Sequence, residues 1–300
     1  LKIKSWQPYL WSVLYVLLLY SFFTSFNIIT INLVMVPAIV LFMKLDARRF
    51  VFFYAAVMAV LLIIDVNAGL VLMIVALFFL PPVIAMGYYY KKRNARTAVI
   101  AGILALLAEF LLMLAISYAI GGNPISSLES YVDDMILTLP PVARELIPSN
   151  FTTLIVKIIP LFMVSFAVYY IIISHAITRW IMRRSNETLP ALPPLRNWKL
   201  PRSMVWYLLI AVVLEFTVDP GADTTMSMIA VNLAPLLTAA FAVQAVSLFA
   251  YIGHIKGWGR ALPIVSVIVM ILISPAIYLF CLVGLLDVVF PLREKIAKKS

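Results

Sequence analysis

The stretch GLVLMIVALFFLPPVIAMGYYYKKRNARTAVIAGILALLAEFLLMLAISYAI, residues 69–120, decides the class of fold. Two apolar runs, 69–90 and 97–120, flank a short segment that carries Lys91, Lys92, Arg93 and Arg96. A helix of about 20 apolar residues crosses the hydrocarbon core of a bilayer, so each run is long enough to span. The basic segment between them is the turn. The pair reads as a transmembrane helical hairpin.

The same pattern repeats outward in both directions, with apolar runs at 9–26, 28–43, 50–66, 152–178, 203–218, 226–253 and 261–288. Composition agrees. The 300 residues are 64% hydrophobic and 12% charged, with a mean hydropathy of +1.07. Soluble domains sit near 45–50% apolar and about 25% charged, so a water-soluble globule, a disordered chain and a disulfide-stapled domain are all excluded. The single cysteine, Cys281, lies in an apolar run and has no partner for an intrachain bridge. We expect an all-α polytopic membrane protein, a bundle of about 8–9 transmembrane helices. The first run lacks a small-residue cleavage site and reads as a retained helix, not a signal peptide. The chain begins at Leu1 and not at Met, so residues are expected to precede it. Pro37, Pro81, Pro82, Pro160, Pro235 and Pro275 fall inside the runs, and each predicts a kink or a break.

A net charge of +10 would point to nucleic acid in a soluble protein. Here the basic residues sit in short loops, where they set orientation, and no nucleic-acid partner is expected. One set of connections holds Lys44, Arg48 and Arg49; Lys91 to Arg96; Arg179, Arg183, Arg184, Arg196, Lys199 and Arg202; and Lys256 and Arg260. The alternate connections, near 27–30, 65–69, 121–151 and 219–225, contain only Arg144. With Lys2 and Lys4 at the start, the N-terminus is expected in the cytoplasm. Nine spans would then place Arg293, Lys295, Lys298 and Lys299 outside, against the rule. The last run is interrupted at Ser274-Pro275, as a span followed by an interfacial piece or as a re-entrant hairpin that brings the tail back.

Two segments are not lipid-buried. In the outer loop 121–150, Asn123 suits a helix cap and Pro124 the first helical position. Ile125, Leu128, Val132, Met135, Ile136 and Leu139 recur at helical spacing before Pro140-Pro141, which predicts an amphipathic helix. It rests on the bundle or headgroups, covers an outward cavity, or docks a partner. The second segment, 179–202, combines six basic residues with Pro190, Pro193, Pro194 and Pro201, and predicts an extended cytoplasmic linker. Its Arg183, Arg184, Arg196, Lys199 and Arg202 face anionic lipid or a cytoplasmic protein partner. The linker divides the chain into a six-helix unit at 1–178 and a C-terminal unit at 203–300 with two or three helices and a basic tail.

Catalytic signatures are lacking. Only two histidines occur, His175 and His254, and there is no HExxH, Cys/His cluster, phosphate-cradling glycine loop or GxSxG elbow. Neither an enzyme, a cofactor nor a metal site is expected. The informative residues are polar ones inside the runs. Glu109 lies at mid-span, where an ionised group costs on the order of 2.5–3.5 kcal/mol, so it faces the bundle or water. It is either a proton or ligand contact or a neutral interhelical hydrogen-bond partner. Nearby Ala98, Gly102, Ala105 and Ala108 suit close helix packing. Glu215 and Asp219, four apart at an outer helix end before Asp223, read as a cation-binding pair or a solvated terminus. Asp65 and Asn67 carry the same two readings. Asn232 and Gln244 share roughly one helix face and are expected to hydrogen-bond between helices.

The segments PPLRNWKLPRSMVWYLLI (193–210), HIKGWGRALPI (254–264) and GLLDVVFPLREK (284–295), with GGNPI (121–125) and LIPS (146–149), resemble the YybS-like family of bacterial integral membrane proteins. That family is distantly similar to the substrate-binding S components of energy-coupling factor vitamin transporters. The resemblance implies a bacterial inner-membrane protein with an S-component-like six-helix unit over about residues 9–178. It implies binding or movement of an unidentified small molecule; the alternative is a scaffold that docks a partner. S components commonly present an Ala-x-x-x-Ala surface on their first helix. Here that helix reads LWSVLYVLLLYSFF (10–23), without alanine, which argues against docking on a shared energising subunit.

Overall fold

The computed structural model describes residues 6–185, 187–222, 224–290 and 292–297. Among them all regular structure is helical. In chain order the helices are α1 (Gln7–Tyr20), α2 (Asn27–Thr30), α3 (Met35–Lys44), α4 (Ala47–Ile64), α5 (Val66–Lys91), α6 (Ala95–Ala119), α7 (Pro124–Leu137), α8 (Pro141–Glu145), α9 (Phe151–Lys157), α10 (Ile159–Arg184), α11 (Met204–Thr217), α12 (Thr225–Ile255), α13 (Ala261–Leu272), α14 (Ala276–Val289) and α15 (Leu292–Ala297). Six helical spans are long and apolar enough to cross a membrane, beginning at Asn27, Ala47, Val66, Ala95, Ile159 and Thr225. Four shorter apolar helices, Gln7–Phe23, Met204–Thr217, Ala261–Leu272 and Ala276–Val289, complete the set. The chain is an all-α polytopic membrane protein.

Short polar turns start these helices because one side chain at each satisfies an amide that the helix leaves free. Asp46 accepts from Arg49 N at 2.8 Å, Asp65 from Ala68 N at 2.9 Å, and Asn94 from Thr97 N at 3.0 Å. Asn123 accepts from Ser126 N at 3.1 Å and opens α7, the amphipathic helix expected from its spacing. The prolines divide by position. Pro81, Pro82 and Pro235 lie inside continuous helices, whereas Pro160 and Pro275 sit where one helix ends and the next begins.

The chain falls into two compact units, Leu1–Gly122 with Met163–Leu192, and Asn123–Phe162 with Pro193–Ser300. In the first unit α3 is buried on nearly every side, as expected of a helix that is apolar all round. Aromatic side chains fill the space about it. Tyr54 donates to the Ala76 carbonyl at 2.6 Å and so accepts from the Tyr15 hydroxyl at 3.2 Å. Tyr170 donates to the Ile31 carbonyl at 2.7 Å while stacking between Phe79 and Phe166. The buried hydroxyls of Tyr15, Tyr54 and Tyr170 are thus each paired, which spares the cost of burying a polar group alone. α6 buries one stripe, Ala95, Ala98, Val99, Gly102 and Leu106. Of the expected small-residue surface Ala98 and Gly102 belong to the stripe, Ala105 is half-buried and Ala108 is exposed. A Cβ at Gly102 would meet the Met86 side chain at 2.6 Å, so this close approach of α5 and α6 requires glycine.

In the second unit α12 is the long central helix, flanked by α11, α13 and α14. The expected last run is two helices, reversed at Ile273–Pro275. α14 runs parallel to α12: Gly284 lies against Phe241, Gln244 bonds Asp287, and Tyr251 bonds the Arg293 carbonyl. A Cβ on Gly284 would collide with the Phe241 carbonyl, so α12 and α14 touch backbone to backbone there. α13 runs antiparallel to both. Arg293 therefore returns to the end of the unit that holds residues 195–200 and the turn at 256–260. Lys2, Lys4, Asp223, Lys298 and Lys299 lie outside the described residues.

Candidate functional site

The best-built polar centre of the second unit is one that sequence reasoning passed over. Asp287, on α14, has a fully buried side chain paired with Arg293 at 2.7 Å. Arg293 Nε lies 3.1 Å from both carboxylate oxygens, and the Gln244 amide donates to the same carboxylate. The guanidinium then reaches beyond its partner. Nη1 donates to the Arg196 carbonyl at 2.7 Å, and Nη2 to the Trp198 carbonyl at 3.1 Å and to Ser247 Oγ at 3.0 Å. Gln244 Oε1 accepts from Leu200 N at 2.9 Å. A buried ion pair recovers its desolvation only when the remaining donors are also satisfied, and here they are. The chain at 195–200 thus has its backbone held by side chains of α12 and by Arg293. Where its prolines predict an extended path it makes one 3-10 turn at Leu195–Asn197, and it is pinned. The first half of the linker has its own anchor in the first unit, where Lys44 meets Glu187 at 3.1 Å.

Beside this clamp lies a cleft of about 820 Å³ between the linker, α12 and α13. Its apolar wall is Val246, Ile264, Val267 and Ile268; its basic members are Arg196, His254 and Arg260. The turn that shapes it depends on glycine. Gly257 and Gly259 have φ of 73° and 62°, in the left-handed region where a Cβ is strained. A Cβ at Gly253 would stand 2.8 Å from the Gly259 carbonyl, so α12 and the start of α13 are pinched together at this point.

A second polar cluster joins α9, α10, α12 and the turn after α11. The buried Lys157 ammonium donates to the carbonyls of Pro220 and Gly221 at 3.3 Å and of Ala222 at 2.7 Å, with Ser227 Oγ at 3.4 Å. Asn232 spans the break between α9 and α10. It donates to the Lys157 and Met228 carbonyls and accepts from Leu161 N, each at 2.7 Å. Leu161 N belongs to the first turn of α10 and has no helical acceptor, so Asn232 supplies one.

The remaining expected residues are not among those that line the cleft. Glu109 is half-buried beside the packed stripe of α6, with no hydrogen bond to a described residue, and it does not line the cleft. Asp65 caps α5, and Asn67 is exposed. α11 ends at Thr217 and Val218 is extended, so Asp219 leaves the helix face that spacing assigned it with Glu215. Asp219 instead accepts from Gly221 N at 2.8 Å, and Glu215 is exposed. Gln244 and Asn232 do bond between helices, in separate clusters. Arg183, Arg184, Lys199 and Arg202 are exposed; Arg184 lies 4.1 Å over the Trp180 ring, beside a shallow concavity that Arg179 and Arg183 also line. Buried His175 was noted in the sequence, but not its bond to Tyr90, whose hydroxyl lies 2.7 Å from Nδ1. Asp287 and Lys157 had a signal that went unused, since each is a lone charge inside an apolar run. No group of His, Cys, Asp or Glu able to hold a metal occurs among the described residues.

The fold and these buried clamps define a multi-pass helical membrane protein. A family model described as "Predicted membrane protein (DUF2232)" matches residues 10–288, and the chain belongs to that family. It is similar to "Uncharacterized protein YybS" of Bacillus subtilis (strain 168), 28% identical over 137 residues. That match covers 46% of this chain and 44% of the length of the relative. No solved structure matches.

Proposed function

We propose that this membrane protein binds a small amphiphilic molecule, and that the α12–α13 cleft receives it. The cleft carries the reading. Ligand sites commonly occupy about 300–1,000 Å³ with mostly apolar walls and a few placed polar groups, and this one meets each condition. The proposed location is a bacterial inner membrane with the N-terminus cytoplasmic, supported by the uneven basic loops. The six apolar helices of the first unit support an S-component-like arrangement there. No catalytic step is proposed.

A scaffold role is the second reading. It is favoured by the pinned linker, which offers Lys199 and Arg202 from a fixed backbone to an acidic partner. Native mass spectrometry of gently purified protein separates the two. A retained small molecule that is lost in Val267→Trp, which fills the cleft, supports binding. A wild-type protein that carries none, and instead retains a protein subunit lost in Lys199→Gln/Arg202→Gln, supports the scaffold.

A further inference from the structure

We infer that the cleft is a site for an anionic phospholipid, its phosphate on Arg196 and Arg260 and an acyl chain along α13; this rests on the cleft being a binding site. Four observations converge on it.

The charge is of one sign. Arg196, His254 and Arg260 line the cleft and no carboxylate does. None of the three side chains has a hydrogen bond or ion pair to a described residue. The nearby carboxylate, Asp287, is already taken by Arg293 and Gln244. The two arginine side chains are therefore free for an external anion, and guanidinium forks match phosphate oxygens.

The apolar wall starts where the charge ends. From Arg260, α13 presents Ile264, Val267 and Ile268, which are 54%, 40% and 47% exposed along the cleft. Eight residues at 1.5 Å rise carry this wall about 12 Å from the basic mouth. A free phosphate or a small polar metabolite has nothing to place against it. A whole diacyl lipid exceeds the cleft, so the second chain stays in the bilayer.

The site also has an interface signature. Trp258 is exposed in the glycine turn, next to Lys256, as expected of a segment at headgroup depth. Basic pockets between apolar helices on the cytoplasmic side are suited to anionic headgroups, and the orientation proposed above puts the cleft on that side. Finally, the Arg196 carbonyl is held by Arg293, so the headgroup contact is set on a fixed backbone.

The test uses the full chain, delipidated in neutral detergent and titrated with phosphatidylglycerol or phosphatidylcholine, with bound lipid counted by native mass spectrometry. One phosphatidylglycerol is expected to bind. Its affinity should fall about tenfold or more in Arg196→Gln/Arg260→Gln, and remain unchanged in Arg48→Gln/Arg96→Gln, which removes equal charge from two exposed positions elsewhere. Millimolar inorganic phosphate should not displace it. Size-exclusion profiles confirm that each variant is folded; Arg260 is exposed and Arg196 half-buried, and neither belongs to the packed core. Equal binding of both lipids, or no loss in the cleft variant, overturns the inference. Displacement by inorganic phosphate overturns the lipid in favour of a free anion. A neutral amphiphile that binds and is lost in Val267→Trp overturns the phospholipid while the cleft survives; no ligand sensitive to Val267→Trp overturns both.

Discussion

Arg293→Gln is the most informative single change in the clamp. The guanidinium holds the Asp287 carboxylate, the Arg196 and Trp198 carbonyls and Ser247 Oγ. Glutamine is too short to reach all of them and carries no charge, so a fully buried carboxylate keeps only the Gln244 amide. Breaking a buried pair by removing one partner costs about 3–5 kcal/mol. Read as local opening, that is roughly a hundredfold to several-thousandfold more exposure of the segment it holds. Hydrogen–deuterium exchange at the amides of 195–200 measures it, with Leu200 N, bonded to Gln244, as the reporter. Exchange there should rise by at least a hundredfold, while amides of α3 are unchanged. Adding Asp287→Asn should recover part of the loss, because the orphaned charge is then gone. Exchange within twofold of wild type in Arg293→Gln, or a double variant worse than the sum of the singles, would refute the assignment of the guanidinium as the fastener.

Three further outcomes are expected. Asn232→Ala strips the α10 first-turn acceptor and two carbonyl bonds, so thermal stability should fall by about 1–3 kcal/mol, measured by detergent melting. Gly284→Ala places a methyl against the Phe241 carbonyl and should destabilise by about 1–3 kcal/mol, measured by detergent melting. Glu109→Gln should leave melting and ligand retention unaltered if the residue only packs, whereas loss of growth complementation in a stable variant would give it a proton or ligand role.

The fold was legible where one residue type dominates a long window. The apolar runs, the basic turns and the Asn123-Pro124 start of α7 all depend on local pattern, and the structure contains them. What local pattern does not contain is pairing across distance. Asp287 and Arg293 are six apart, but Gln244 is on another helix and the Arg196 and Trp198 carbonyls that Arg293 holds are nearly a hundred residues away in the chain. Lys157 sat unremarked in an apolar run because its acceptors are carbonyls after α11, which carry no sequence signature. The Glu215–Asp219 spacing assumed a helix that stops at Thr217, two residues too soon for both to share a face. The cleft was not legible either: its parts, 194–196, 246–254 and 257–268, meet only once α13 folds back along α12.

The central claim, that the α12–α13 cleft holds an amphiphile, is tested most directly by photo-crosslinking from inside it. A benzophenone amino acid at Val267, in the cleft, is compared with one at Val213, exposed on α11 of the same unit. After illumination in native membranes, intact-protein mass spectrometry should show one discrete, saturable adduct at Val267 and only diffuse bulk-lipid labelling at Val213. Identical adduct patterns at the two positions, or none at Val267, would contradict the account.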